Sequence, residues 1–264
     1  MRASFLKKIS VIFQSVASTL GVSIIGLYLR YTNTYTRPFA DRVLRWWSRY
    51  LLKAARVSFE VLDPHEVAIQ PDTPYVIMSN HRSHYDIPLI FVSLPGSIRM
   101  LTKKELFRIP VWGRALKAAE FLSIDRRNHD QALKDLEYAK EKMKSGVVLW
   151  IAPEGTRSRT GDLGQFKKGG FMVAIQTGAR IIPVGITGSE HIHKPDTWEL
   201  DLDKHVRINI GKPIDASLYS PETRDQLMGD VRGAIESLIS SRAEMPEMLS
   251  TRRGIAVHER LFPA

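Results

Sequence analysis

The residues most able to do chemistry lie in Ser79-Asn80-His81-Arg82-Ser83-His84-Tyr85-Asp86. A histidine five positions before an aspartate cannot pair with it in regular structure. Helical neighbours lie three or four apart, and strand positions five apart point to opposite faces. His81 and Asp86 meet only across an elbow, with His81 in a turn and Asp86 on the first turn of a helix. Asp86 then accepts a hydrogen bond from one imidazole nitrogen and leaves the other as a general base. This is half of a catalytic triad, and the missing nucleophile would be a hydroxyl of the substrate. Two other readings fit the same residues. One is a helix cap, at Asn80 or Ser83, with a satisfied histidine nearby. The other is a metal site formed by His81, His84 and Asp86, without any cysteine or His-Glu-x-x-His run to complete it.

The elements needed for an elbow are present. Tyr75-Val76-Ile77-Met78 reads as a short buried strand, and Ile87 to Leu94, with Pro88 in its first turn, reads as a helix. Further strands are predicted at Val57–Leu62, Ile98–Thr102, Phe121–Ile124, Val147–Ile151, Ile181–Ile186 and Val206–Ile210. Helices are predicted at Asn128–Lys144, which is amphipathic and ends before Gly146, at Phe166–Thr177 and at Pro221–Ile239. Strand and helix alternating in this way specify an α/β domain with a mainly parallel sheet flanked by helices. Three more loops at strand ends are cationic. They carry Lys103-Lys104, Asp125-Arg126-Arg127 and Glu154-Gly155-Thr156-Arg157. Together Lys104, Arg126 and Arg157 offer a cluster for a phosphate, and Gly155 allows close approach of backbone to a ligand.

Ahead of this domain, no charged residue occurs from Ile9 to Leu29, enough for roughly 30 Å of helix. The stretch either crosses a bilayer or lies against one. Pro38 to Arg56 follows as a helix with Arg42, Arg45, Arg49, Lys53 and Arg56 along one stripe and Trp46, Trp47 and Tyr50 beside it, a pattern suited to lipid headgroups. If the stretch spans, the larger number of arginines after it than of basic residues before it places the body on the cytoplasmic side of an inner membrane. The expected organisation is a membrane-associating segment at 1–56, the α/β domain at 57–241 and a tail at 242–264. The 264-residue chain has 38 Lys and Arg against 28 Asp and Glu, a net charge of +10, and so an anionic partner. It has no cysteine, which excludes disulfides and thiol nucleophiles.

With these blocks in this order, the chain resembles the glycerolipid acyltransferase family, in particular its bacterial 1-acylglycerol-3-phosphate acyltransferases. Asn80-His81-x-x-x-x-Asp86 matches the first family block and Pro153-Glu154-Gly155-Thr156-Arg157 the third. Phe121 to Arg126 resembles the second and Ile182-Pro183-Val184 the fourth. The likeness runs from about Tyr75 to Gly188, and it departs at Glu120, Ser123 and Ala152, where glycine, an aromatic residue and phenylalanine are usual. The resemblance implies transfer of a fatty acyl group from acyl-CoA or acyl carrier protein to a lysophosphatidic acid hydroxyl, giving phosphatidic acid. It makes His81 the base and Asp86 its support. It assigns Arg126, Glu154, Gly155, Thr156 and Arg157, with Lys104, to the glycerol-phosphate of the acceptor. No metal and no cofactor are expected, and the partners are a lysophospholipid, an acyl thioester and an anionic membrane surface. Three alternatives remain at this point. They are a different lysolipid acceptor, a hydrolase using Ser83 without a Gly-x-Ser-x-Gly elbow, and a non-catalytic basic protein that binds membrane or nucleic acid.

Overall fold

The computed structural model describes residues 5–124, 129–158, 161–193, 197 and 199–241. The strands are β1 (Ser58–Leu62), β2 (Tyr75–Ser79), β3 (Ser97–Lys103), β4 (Leu122–Ile124), β5 (Val147–Ile151), β6 (Arg180–Thr187), β7 (His205–Ile210) and β8 (Ile214–Asp215). The α helices are α1 (Phe5–Tyr31), α2 (Arg37–Ala54), α3 (Asp86–Ser93), α4 (Trp112–Ala118), α5 (His129–Lys144), α6 (Lys168–Thr177) and α7 (Arg224–Ser240). One sheet runs in the order β1-β7-β6-β2-β5-β3-β4, with β8 also on β6. Every pairing is parallel except β6 with β7 and β6 with β8. The mainly parallel α/β expectation is therefore met, with an antiparallel margin.

Side-chain parity explains the layers. Along β2, Tyr75 and Ile77 join one core with Val148, Trp150, Ile182 and Val184, beneath Leu52 of α2, Leu89 and Ile90 of α3 and Leu116 of α4. Val76 and Met78 point the other way, with Leu149, Ile151 and Ile181, toward Ala139 and Met143 of α5, Phe171 of α6 and Val231 of α7. A strand covered on both faces has no polar alternation, which is why these strands read as continuous apolar runs. Because β6, β2, β5, β3 and β4 are parallel to their neighbours, their carboxyl ends share one edge of the sheet. Loops 80–85, 104–108, 152–158 and 188–193 all leave from that edge.

The helices of the N-terminal segment lie on the body. The Nζ of Lys8 near the start of α1 is 3.2 Å from Asp201, and α1 also packs on α2 and α4. The polar residues of its apolar stretch serve these contacts. Trp47 Nε1 donates to Thr19 Oγ1 at 3.2 Å and Tyr50 donates to Gln14 Oε1 at 3.2 Å. The basic stripe of α2 is divided: Arg45 donates to the carbonyl of Gly96, while Arg42 and Lys53 are exposed.

The departure at Glu120 has a structural cause. Glu120 ends α4 in the left-handed region, φ 62°. The Phe121 amide donates to Leu116 and the Glu120 amide to Lys117, a helix-ending turn that favours glycine at this position. The carboxylate gives the side chain a reason to be there, since Arg37 of α2 donates at 2.7 and 3.0 Å and Lys142 of α5 at 2.8 Å. Hydrogen bonds from Arg37 and Lys142 hold the Glu120 carboxyl down at about 2. A depressed carboxyl contributes stability above its unfolded value and loses it as pH falls through the folded one. Glu120→Gln is therefore expected to lower the stability at pH 7 by about 1 kcal/mol. In thermal melts, the gap from the parent chain should persist down to about pH 4.5 and close toward pH 2. A gap independent of pH would mean that the ion pairs do not hold α2 and α5 to this turn.

Candidate active site

The elbow after β2 is built by side chains that bond to backbone. Asn80, 1% exposed, donates from Nδ2 to the carbonyl of Ile186 and accepts its amide at Oδ1, both at 2.8 Å. It thus extends β2 across to β6 and is not a helix cap. Ser83 is no helix cap either; the N-cap residue of α3 is Tyr85, and its side chain makes no capping bond. Asp86, fully buried, closes the turn instead. Its Oδ2 accepts the amides of Arg82 at 2.8 Å and Ser83 at 2.9 Å, and lies 2.8 Å from His81 Nδ1. The negative charge sits at the N-terminus of α3, where the helix dipole favours it. The expected His81–Asp86 pair across an elbow is present, with the His81 ring 17% exposed and Nε2 left as its open nitrogen. Such a pair can take a proton from a bound hydroxyl.

Neighbouring strands hold the ring in place. Trp150 of β5 meets the His81 ring edge to face, with centroids 6.2 Å apart, and its own Nε1 donates to Ser79 at 3.0 Å. Glu154 is 6% exposed, and its two oxygens accept the amides of His81 at 3.2 Å and Gly164 at 2.8 Å. The Ser158 amide donates to the carbonyl of His81 at 2.8 Å. The Glu154 block thereby grips the backbone that carries His81.

The other sequence-predicted residues arrive at the same edge. Lys104 opens the 3-10 turn Lys104–Arg108 directly after β3. Gly155 adopts φ 75°, a conformation that a Cβ would disfavour. Thr156 is exposed, and its hydroxyl donates to the Arg157 carbonyl at 3.3 Å. Arg157 is half-buried. Arg126 lies outside the described residues. Ser83 is buried, and its hydroxyl donates to the carbonyl of His193 at 3.1 Å, away from His81. Sequence reading passed over His193, which follows β6 and brings its ring to within 5.4 Å of that of His84. The protein packed around His84, with Arg157 and His193 beside it, pushes that imidazole down to about 4, although its outer edge is open to solvent. Burial and Arg157 lower His193 as well. These surroundings favour the neutral form of both rings. Among the described residues, no three His, Asp or Glu side chains are grouped as ligands of one metal ion.

Residues 61–187 match the family model described as Acyltransferase. This stretch is an acyltransferase-family domain. The chain is 31% identical over 210 residues to a chloroplastic 1-acyl-sn-glycerol-3-phosphate acyltransferase of Arabidopsis thaliana, covering 79% of the chain and 57% of that protein. It is 27% identical to the alpha form of Mus musculus, covering 72% and 66%, and 33% identical to the beta form of Homo sapiens, covering 54% and 51%. The chain thus spans between about half and two thirds of the length of these curated relatives. The crystal structure of the 1-acyl-sn-glycerophosphate acyltransferase of Thermotoga maritima superimposes with a TM-score of 0.72 at 24% identity, covering 89% of this chain and 95% of that one. That likeness is one of fold.

Beside the dyad, the acyltransferase domain and the N-terminal helices enclose an apolar cleft of about 800 Å³, including its open side. Val22 and Gly26 of α1, Val43 and Trp47 of α2, Ile87 and Phe91 of α3, and Trp112 and Leu116 of α4 line it. Ile87 follows Asp86 directly, so the helix that begins at the dyad also walls the cleft. Helix α3 therefore borders both the dyad and the apolar cleft.

Proposed function

We propose that this chain transfers a fatty acyl group from a thioester, carried by coenzyme A or acyl carrier protein, to the free hydroxyl of 1-acylglycerol-3-phosphate, giving phosphatidic acid. The observation that carries the reading is the buried Asp86 carboxylate 2.8 Å from His81 Nδ1, at an edge where cationic loops meet. The names of the relatives and the match over residues 61–187 support the acceptor and the reaction class. In this reading His81 Nε2 removes the proton of the acceptor hydroxyl as its oxygen attacks the thioester carbonyl. The carbon–sulfur bond breaks, and the imidazolium returns the proton to the leaving thiolate. Asp86 fixes the tautomer and stabilises the imidazolium. Lys104, Arg126, Gly155, Thr156 and Arg157 receive the glycerol-phosphate, while Glu154 holds the loop and His81 together. The apolar cleft seats acyl chain. No step calls on a metal or an organic cofactor.

The same reading places the protein on a membrane surface, with its body on the cytoplasmic side. Phe13, Val16, Leu20, Ile24 and Tyr28 recur every three or four residues along α1, and each is exposed. Trp46 of α2 is 56% exposed as well and stacks on Tyr50. A helix with one flank held by α2 and α4 and the opposite flank apolar suits insertion parallel to the headgroup layer. Much of the positive charge then meets anionic lipid, and nucleic acid is not needed to explain it.

The purified protein, supplied with acyl-CoA or acyl carrier protein and a panel of lysolipids, should release free thiol most rapidly with lysophosphatidic acid. His81→Ala should reduce that rate by about 10²–10⁴-fold. A folded His81→Ala protein with near-parent turnover would refute the base assignment. Aspartates at Phe13, Val16 and Leu20 should release the protein from anionic vesicles in sedimentation assays; unchanged sedimentation would place the anchor elsewhere.

A further inference from the structure

We propose, resting on the acyltransferase reading above, that Ser79 and Trp150 form a second support of the His81 ring, and that this support, separate from Asp86, sets the rate of the chemical step. Asp86 alone does not define the ring. The His81 backbone is held on both sides, its amide by Glu154 and its carbonyl by the Ser158 amide. Beyond the backbone lie two side-chain torsions, and the outer torsion of a histidine has broad wells. One hydrogen bond at Nδ1 fixes a single atom of the ring. The plane can still tilt about that atom, and Nε2 moves with it.

Trp150 limits that tilt, and its place follows from the register of the sheet. It lies opposite Ile77 in the parallel pairing of β2 with β5, and Ile77 and Ser79 share one face of β2. The indole runs along that face toward the elbow, past the last residue of the strand, and meets the His81 ring. The two ring planes stand 84° apart with centroids at 6.2 Å, within the range of favourable edge-to-face pairs. Ser79 closes the indole's own swing, since its fully buried Oγ accepts from Nε1 at 3.0 Å. Both groups are buried and uncharged, so they act through His81, by position. A tryptophan that served the core alone could be exchanged for another apolar side chain with little change in turnover per folded molecule. One that aims Nε2 could not, because a misplacement of about 1 Å can cost roughly 10²-fold in rate.

The test uses the protein in detergent, an acyl thioester donor, lysophosphatidic acid as acceptor and thiol release as the readout, with thermal melts at the assay pH. Trp150→Leu should lower kcat per folded molecule by roughly 10²-fold, while KM for donor and acceptor stays within about twofold of the parent's. Trp150→Phe, which keeps a ring, should recover much of that loss. Ser79→Ala barely changes the core volume and should lower kcat by about tenfold. Ser79→Thr, which restores an acceptor for Nε1, should regain part of it, and this pair carries the test where Trp150→Leu does not fold. Added to His81→Ala, Ser79→Ala should change the remaining rate by less than about twofold, because the support has no base left to aim. Parent-like kcat in folded Ser79→Ala, losses that fall on KM instead, or a full tenfold loss in the His81→Ala background would overturn the proposal and leave the acyltransferase reading intact. A parent chain that acylates no lysolipid would overturn both.

Discussion

The arrangement turns on one carboxylate oxygen. Asp86 Oδ2 receives His81 Nδ1 and the amides of Arg82 and Ser83, all within 2.9 Å. A buried charge is tolerable only when hydrogen-bonded, and Oδ2 of this one is bonded by the chain that must turn back on itself, while Oδ1 is buried with no partner among the described residues. The contacts that stabilise the ion thus bend the chain between His81 and Asp86. They also orient the imidazole. Turn, tautomer and ring direction share a single cause. Asn80 and Glu154 apply the same principle on either side, each using a side chain to satisfy backbone groups of a neighbouring loop.

In the proposed reaction two environments have to meet at this point, because a thioester-borne acyl chain and a glycerol phosphate prefer different surroundings. The parallel strands bring cationic loops to one edge, and helices α1 to α4 line an apolar cleft. α3 belongs to both, with Asp86 at its first position and Ile87 and Phe91 facing the cleft. A shift of α3 would disturb the dyad and the chamber together. The ion pair of the buried Arg99 with Asp41, at 2.7 Å, ties α2 to β3. Removing one member of such a buried pair leaves an uncompensated charge, a far greater cost than losing a surface bridge.

Much of this was legible in the sequence, and what was hidden shares a physical reason. The apolar runs of β2, β5 and β6 announced themselves because strands buried on both faces have no alternation to blur. Spacing showed that His81 and Asp86 could pair only at an elbow, and the resemblance in the neighbouring blocks singled that pairing out from the cap and metal readings. By contrast, Asn80 resembled a helix cap because its partner, Ile186, lies over a hundred positions away. Glu154 stood among the presumed substrate contacts, yet its oxygens are engaged by the amides of His81 and Gly164. The basic stripe of α2 looked uniform until Arg45 turned inward to Gly96. α4 escaped notice because Trp112–Ala118 is short and begins after Val111 at φ 64°. β8 has only two residues. His193 gave no signal at all, being one histidine in a loop until the fold set it beside His84.

The central claim is that His81 activates the acceptor hydroxyl directly, with no acyl group resting on the protein. Ser83, the serine nearest the base in sequence, is buried and donates elsewhere. The most direct measurement is intact-protein mass after quenching a reaction with acyl-CoA, first without acceptor and then with lysophosphatidic acid. The account predicts an unmodified mass in both samples and phosphatidic acid only in the second. A stoichiometric acyl adduct formed from the donor alone, and consumed into phosphatidic acid when acceptor is added, would contradict it.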